Sequence, residues 1–293
     1  MSFRPRTLPL ACCGIVTGSA LAMASGAVWR GSVFWAALAT ALLLQLLANL
    51  ANDYGDVTKD SDTPERIGPV RGMQLGLISA AEMKWTLWLT ALFTMASGIT
   101  LVTLACESFA DVMGFIILGA CSIAAALTYT IGRHAYGYHG LGDLSVLIFF
   151  GWVAVLGSYY LQTHTFAPLV LLPATACGLL CVLVLNVNNL RDIDEDRRHG
   201  KMTLAVRLGF HKARHYHLLL LAASFACLLC SAWLWSSARP WIWLFLLALP
   251  LFYQGANAAL HSRKPDEFCS QLPVAVKTGI IALGGVVVGL MIG

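Results

Sequence analysis

Nine of the chain's 15 acidic side chains fall in two short segments. The first carries Asp53, Asp56, Asp60, Asp62 and Glu65, and the second carries Asp192, Asp194, Glu195 and Asp196. Within them Asn52, Asp56 and Asp60 stand at i, i+4 and i+8, and Asn188, Asp192 and Asp196 repeat the spacing. On a helix that spacing puts three oxygen donors on one face over about 12 Å. Like charges so placed repel, so a cation is expected among them. Hard oxygen donors in this number favour Mg2+, which leaves part of its octahedron to water and substrate phosphate oxygens. Arg66 and Arg71 follow the first segment, and Lys201 and Arg207 follow the second. Two carboxylate half-sites flanked by cations make a clamp for a diphosphate: metal bridges carboxylate to phosphate, and the basic side chains neutralise the remaining charge. The plainer reading, two solvated loops that only fix topology, is weakened because acidic residues contribute little to topology.

The elements that must position these groups follow from composition. The chain has 293 residues, 58% hydrophobic and 12% charged, whereas ordinary soluble domains are roughly a quarter charged. Soluble, disordered and disulfide-stapled classes are excluded. A bilayer span needs about 20 mostly apolar residues, and nine such runs are found near 10–29, 33–51, 85–105, 112–131, 144–162, 166–187, 216–236, 240–258 and 273–292. Backbone polar groups in lipid must be satisfied within the segment and no barrel-like alternation is present, so all nine are expected to be helices. The fold class is therefore all-α integral membrane, with nine transmembrane helices. The chain reads as one polytopic domain, 1–293, with two pseudo-repeated halves of about 1–140 and 141–293.

In this arrangement the acidic segments sit at the same-side ends of spans two and six. Of the 19 Lys and Arg residues, only Arg30 and Arg239 fall on the other side. The positive-inside rule then puts the N-terminus in the cytoplasm and the C-terminus outside, in a multi-pass protein of the cell inner membrane. The apolar run behind Arg4 and Arg6 continues past Ala24, so it is expected to stay as the first span and not be cleaved. Gly285 and Gly289 form a GxxxG suited to close helix contact. Most of the nine cysteines lie in apolar runs as small hydrophobes. His211, His215 and His217 lie in a basic stretch and are expected to meet headgroups or water.

At the two acidic segments the sequence resembles the UbiA superfamily of intramembrane aromatic prenyltransferases, whose motifs NDxxDxxxD and DxxxD stand here as Asn52-Asp53-xx-Asp56-xxx-Asp60 and Asp192-xxx-Asp196. The resemblance is closer to the branch acting on 1,4-dihydroxy-2-naphthoate in menaquinone synthesis. It extends to Arg66-Ile67-Gly68-Pro69 with Arg71, to the stretch from Tyr136 to Asp143, and to Asn188-Asn189-Leu190-Arg191-Asp192 running on through Lys201 to Arg207. A departure stands at Arg133-His134. The resemblance implies that the nine helices surround a central cavity open to the membrane, and it implies Mg2+-dependent ionisation of a polyprenyl diphosphate. The naphthoate ring then attacks and loses its carboxylate, giving demethylmenaquinone. It also implies that Asn52, Asp56, Asp60, Asp192 and Asp196 hold the metals, with Asn188, Arg66, Arg71, Lys201 and Arg207 binding substrate.

The chemistry of such a reaction asks for a dry cavity with π faces toward an allylic cation, for which Tyr129, Phe149, Phe150, Tyr159 and Tyr160 are candidates. Asp143, behind Gly140-Leu141-Gly142, either orients or deprotonates the substrate hydroxyl or complements a helix dipole. Asp53 and Asp194 point away from the ligand face and are expected behind it. The implied partners are polyprenyl diphosphate, 1,4-dihydroxy-2-naphthoate and membrane lipid, with no nucleic acid. A sibling acting on 4-hydroxybenzoate is the alternative within enzymes. A transporter is the alternative outside them, although transporter sites lie near the midplane and these carboxylates sit at one rim.

Overall fold

The computed structural model describes residues 8–58, 73 and 75–292, and every described element is helical. α1 (Leu8–Ala24), α2 (Gly31–Thr58), α3 (Ala80–Ala105) and α4 (Phe109–Thr128) form the first half. α5 (Gly142–Val146) runs through a π-helical segment, Leu147–Val153, into α6 (Ala154–Thr163). α7 (Leu171–Arg191) is followed by the short α8 (Ile193–Arg198) and by α9 (Leu204–Trp235). Single 3-10 segments, Pro240–Ala248 and Pro265–Ser270, lead into α10 (Leu249–His261) and α11 (Gln271–Ile292). Among the described residues, eight continuous helices are long and apolar enough to cross a membrane. α1 is the ninth of the expected spans, and its 17 residues reach only about 25 Å of the roughly 30 Å hydrocarbon core.

The helix limits follow local chemistry. α3 begins at a capping box in which the Ser79 side chain accepts from the Glu82 N–H while Glu82 reaches back to the Ser79 N–H. This starts α3 several residues before the apolar run. α9 begins at Leu204, well before the expected span at 216, because Thr203 caps it by accepting from the Val206 N–H. A non-helical Gly209, φ 75°, kinks the helix before it enters the apolar layer.

α7 is the central post, with Ala174, Cys177, Leu180, Leu183, Val187 and Leu190 all buried. It is flanked by α9, α1, α11 and the π-helical segment. The expected close contact at Gly285 and Gly289 is made against the backbone of the 3-10 segment. A Cβ on Gly289 would lie 2.2 Å from the Trp241 carbonyl oxygen, and one on Gly285 would lie 2.6 Å from the Phe245 nitrogen. No residue of α4 is buried, so this helix stands at the outside of the bundle and leaves a space between itself, α2 and α6.

At the end of the bundle opposite the acidic segments, Arg30 closes a polar clasp. Its guanidinium donates to the carbonyls of Leu104 and Ala105 and to His164 Nε2, and lies 3.7 Å from Glu107. Arg239, the other basic residue expected on this side, donates to the Ala24 carbonyl. His217 departs from its expected exposure. It is buried on the core face of α9, with Ala213, Leu220 and Ser224. Its Nδ1 donates to Asn186 Oδ1 at 2.9 Å, and Phe268 meets its ring edge-on. The helical period that exposes His211 and His215 turns His217 inward.

Candidate active site

α2 has 28 residues, about 42 Å of helix, and so outruns the roughly 30 Å apolar layer. Its last turns carry Asn52, Asp53 and Asp56 beyond the apolar run without leaving the helix. This end is held by Thr130, whose hydroxyl donates to the Ala51 carbonyl at 2.8 Å. The contact is possible because residue 55 is glycine: a Cβ there would lie 2.6 Å from the Thr130 Cβ and 2.8 Å from its carbonyl oxygen. In the second segment the helix bends at Asp192, which ends α7 at φ −94° and ψ 12°. The register survives the bend, since the Asp192 N–H donates to the Asn188 carbonyl and the Asp196 N–H to the Asp192 carbonyl. The i, i+4, i+8 spacing therefore persists through two helices and not along one.

The two segments meet. Lys201 Nζ lies 3.8 Å from Asp56 Oδ1 and 3.8 Å from Asp196 Oδ1, so these two oxygens are at most twice that distance apart. Tyr138 donates its hydroxyl to Asp56 Oδ1 at 2.9 Å, and its ring lies 5.5 Å from the Lys201 ammonium. The loop holding Tyr138 is pinned to the loop holding Lys201: the Met202 N–H donates to the Tyr138 carbonyl, and Arg207 donates to the carbonyls of His139 and Met202. Arg207 thus works here as a tie between loops. Arg191 grips both oxygens of Asp192, at 2.6 and 2.7 Å. A carboxylate offers about four lone-pair positions, so this bidentate pair still leaves Asp192 acceptor capacity.

Below the acids lies a cavity of about 340 Å3. Asn52 and Asn188 line its acidic end, and Leu101, Phe115 and Leu161 line the far one. One face of α2 descends into it as Asn52, Asn49 and Gln45, with Gln45 donating to Asn49 Oδ1 at 3.1 Å. Of the expected aromatic faces, Tyr129, Phe149 and Phe150 are on the wall. Tyr159 and Tyr160 are not. They belong to the opposite polar end, where Tyr159 donates to Ser25 and Tyr160 to Asp111. Gly157, Ser158 and Leu161 of the same helix still line the cavity, so it is rotation about α6 that turns the two tyrosines away from the wall.

Asp143 is buried in the first turn of α5 but does not line the cavity. It accepts from the Tyr216 hydroxyl at 3.2 Å and stands behind Tyr129. The Tyr129 phenol, neutral at physiological pH, faces the cavity. Asp53 is buried and Asp194 exposed, so only the first stands behind the ligand face. Asp60, Arg66 and Arg71 lie outside the described residues. Tyr138 was not singled out from the sequence; its position in the Tyr136–Asp143 stretch was the available signal.

The donor set suits a hard divalent ion. Among the described residues Asn52 Oδ1 is buried and has no hydrogen-bond partner, an orphaned acceptor of the kind a cation satisfies. Among the described residues no three His, Cys, Asp or Glu side chains converge as a metal cluster. Mg2+ needs no such cluster, since it is held by one or two carboxylates with water and phosphate oxygens completing the shell.

A profile of the UbiA prenyltransferase family matches residues 12–270. The chain belongs to this family. It is 52% identical over 284 residues to the 1,4-dihydroxy-2-naphthoate octaprenyltransferase of Escherichia coli K12, covering 96% of this chain and 90% of that one. The enzyme of the same name from Mycobacterium tuberculosis is 37% identical, with 96% and 91% covered. Among solved structures, the apo UbiA homolog from Aeropyrum pernix K1 superposes with a TM-score of 0.66 at 20% identity over 92% of this chain and 96% of that one. The UbiA homolog from Archaeoglobus fulgidus bound to GPP and Mg2+ gives 0.53 at 13% identity, with 98% and 99% covered. The chain is thus a multi-pass membrane prenyltransferase with the UbiA fold.

Proposed function

We propose that this enzyme transfers a polyprenyl group from polyprenyl diphosphate to 1,4-dihydroxy-2-naphthoate, releasing diphosphate and the ring carboxylate as CO2 and giving the quinol form of demethylmenaquinone. One observation carries the transfer chemistry: two oxygen-rich helix ends share one lysine above the mouth of an apolar cavity. The choice of aromatic substrate is supported by the names of the relatives that match over almost the whole chain. The same evidence supports one domain with two pseudo-repeated halves, whose acid-bearing helices are α2 and α7–α8. It also supports placing this rim, with Lys201 and Arg207, on the cytoplasmic side of the inner membrane, with the Arg30 clasp outside.

Asn52, Asp56, Asp192 and Asp196, with Asp60, would hold Mg2+. When bound, the ion draws charge from the diphosphate and makes it a better leaving group. Lys201, with Arg66 and Arg71, neutralises the phosphate oxygens left over. The walls from Leu101 to Leu161 receive the prenyl chain and exclude water from the allylic carbon as its C–O bond breaks. Tyr129, Phe149 and Phe150 present π faces to the developing positive charge, and the buried, protonated Tyr129 cannot trap it as a phenolate would. Asn49 and Gln45 supply polar contacts for the hydroxyls of the aromatic ring. Asp143 fixes Tyr129 and Tyr216 from behind the wall.

The test is turnover by the full chain with radiolabelled polyprenyl diphosphate, Mg2+ and each aromatic acid in turn. Naphthoate is expected to give prenylated product with one CO2 released per turnover. Product from 4-hydroxybenzoate alone, or full activity in excess chelator, would overturn the reading. Tyr138→Phe is a finer probe, because it removes only the hydroxyl that orients Asp56. Groups that orient metal ligands are worth roughly 10–100-fold in metal affinity or activity, so the Mg2+ concentration giving half-maximal rate should rise about tenfold. An unchanged Mg2+ dependence would show that Tyr138 does not position Asp56.

A further inference from the structure

Resting on the reading of this rim as a Mg2+–diphosphate site, we propose that Lys201 is its resident counter-ion. In the metal-free protein its ammonium holds Asp56 and Asp196 together. A divalent ion must displace it, and the displaced ammonium then turns to the diphosphate.

The geometry is direct. Lys201 Nζ is equidistant, at 3.8 Å, from an oxygen of each half-site, and both carboxylates are largely withdrawn from water, with side-chain exposures of 5% and 12%. Two such charges facing each other across the seam between α2 and α8 repel strongly, because the local dielectric is lower than that of water. The backbone keeps the lysine at the seam: the Lys201 N–H donates to the Asp196 carbonyl at 2.8 Å and the next N–H to the Tyr138 carbonyl at 3.0 Å. The stem beyond is a flexible four-carbon chain ending in a compact charge with three rotatable donors. The head can therefore leave the carboxylates without the loop moving.

A divalent ion bound to Asp56 and Asp196 would share their oxygens with this ammonium, and two cations so close repel. Metal alone must therefore compete with Lys201. When a diphosphate arrives as well, the ammonium gains phosphate oxygens to bind and the competition ends. Part of the mutual support between metal and diphosphate would thus run through one side chain, and thermodynamic linkage makes that support reciprocal. A lysine that only bound phosphate would leave the affinity for metal alone unchanged.

The experiment is a titration of the solubilised full chain with Mn2+ alone, read by electron paramagnetic resonance, then repeated with geranyl diphosphate. Lys201→Met and Lys201→Gln are expected to bind Mn2+ alone about tenfold more tightly than wild type, with Lys201→Arg within about twofold, a size typical of coupling between sites. The further tightening caused by geranyl diphosphate should shrink in the two neutral variants. In chelator they should melt below wild type, and the difference should close at saturating Mn2+. Unchanged or weaker Mn2+ binding in both neutral variants, or tighter binding in Lys201→Arg, would overturn the counter-ion role while leaving the metal site standing. No Mn2+ binding by wild type even with geranyl diphosphate would sink the metal reading and this proposal with it.

Discussion

Asp56→Ala is expected to lower product formation by at least about 100-fold, the scale seen when a group that stabilises developing charge is removed, while the protein still inserts and melts cooperatively. Asp56 accepts from Tyr138 at 2.9 Å and lies 3.8 Å from Lys201. Its loss frees the Tyr138 hydroxyl and the Lys201 ammonium, which can turn to Asp196 or water. Asp192→Ala should also abolish turnover, but for two reasons. Asp192 is gripped by the buried Arg191 through two hydrogen bonds, and stripping one partner from a buried ion pair costs about 3–5 kcal/mol. Asp56 is therefore the cleaner test. Product formation and thermal unfolding of the same preparation decide it, and a folded Asp56→Ala protein with wild-type turnover would remove this carboxylate from the chemistry.

Gly55→Ala is expected to produce a loss of similar size without touching any charged group. The added methyl would sit 2.6 Å from the Thr130 side chain and 2.8 Å from its carbonyl oxygen. Thr130 is fully buried and cannot retreat, so the end of α2 must move. Holding the clash in place would cost about 1–3 kcal/mol. Relieving it moves Asn52 from the cavity mouth and Asp56 from Tyr138 and Lys201, and a misplacement of about 1 Å can cost roughly 100-fold in rate. The expected result is a kcat about 100-fold lower with the affinity for the aromatic substrate little changed. Near-normal turnover in Gly55→Ala would show that this contact does not set the position of the acidic end.

The sequence exposed much of the site because charge is costly in an apolar chain. Asn52, Asp56, Asn188, Asp192 and Asp196 stood out by type and spacing, and the structure places their helix ends together. It was less informative where polarity alone gives no direction. His217 lies in a basic stretch beside His211 and His215, yet α9 turns it onto the core face, where it bonds Asn186. Tyr159 and Tyr160 follow Phe149 and Phe150 in one span, yet their face of α6 turns them from the cavity toward Ser25 and Asp111, while Leu161 beyond them lines it. Arg207, expected on substrate, also ties the loops of His139 and Met202 together, a role its charge does not announce. Asp143, read as acting either on the substrate hydroxyl or on a helix dipole, stands in the first turn of α5, the position the second of those readings describes.

By itself, then, the order of residues determined the solvent, the helical class and the two oxygen-rich ends, because hydrophobic run length and i, i+4 spacing are local properties of the chain. Tertiary structure alone decided which groups face one another: that Lys201 reaches both half-sites, that Tyr138 holds Asp56, and that Gly55 lets α2 lie against Thr130. Those contacts join residues far apart in the chain, and their geometry depends on how helices cross and rotate, which periodicity within any one segment does not encode.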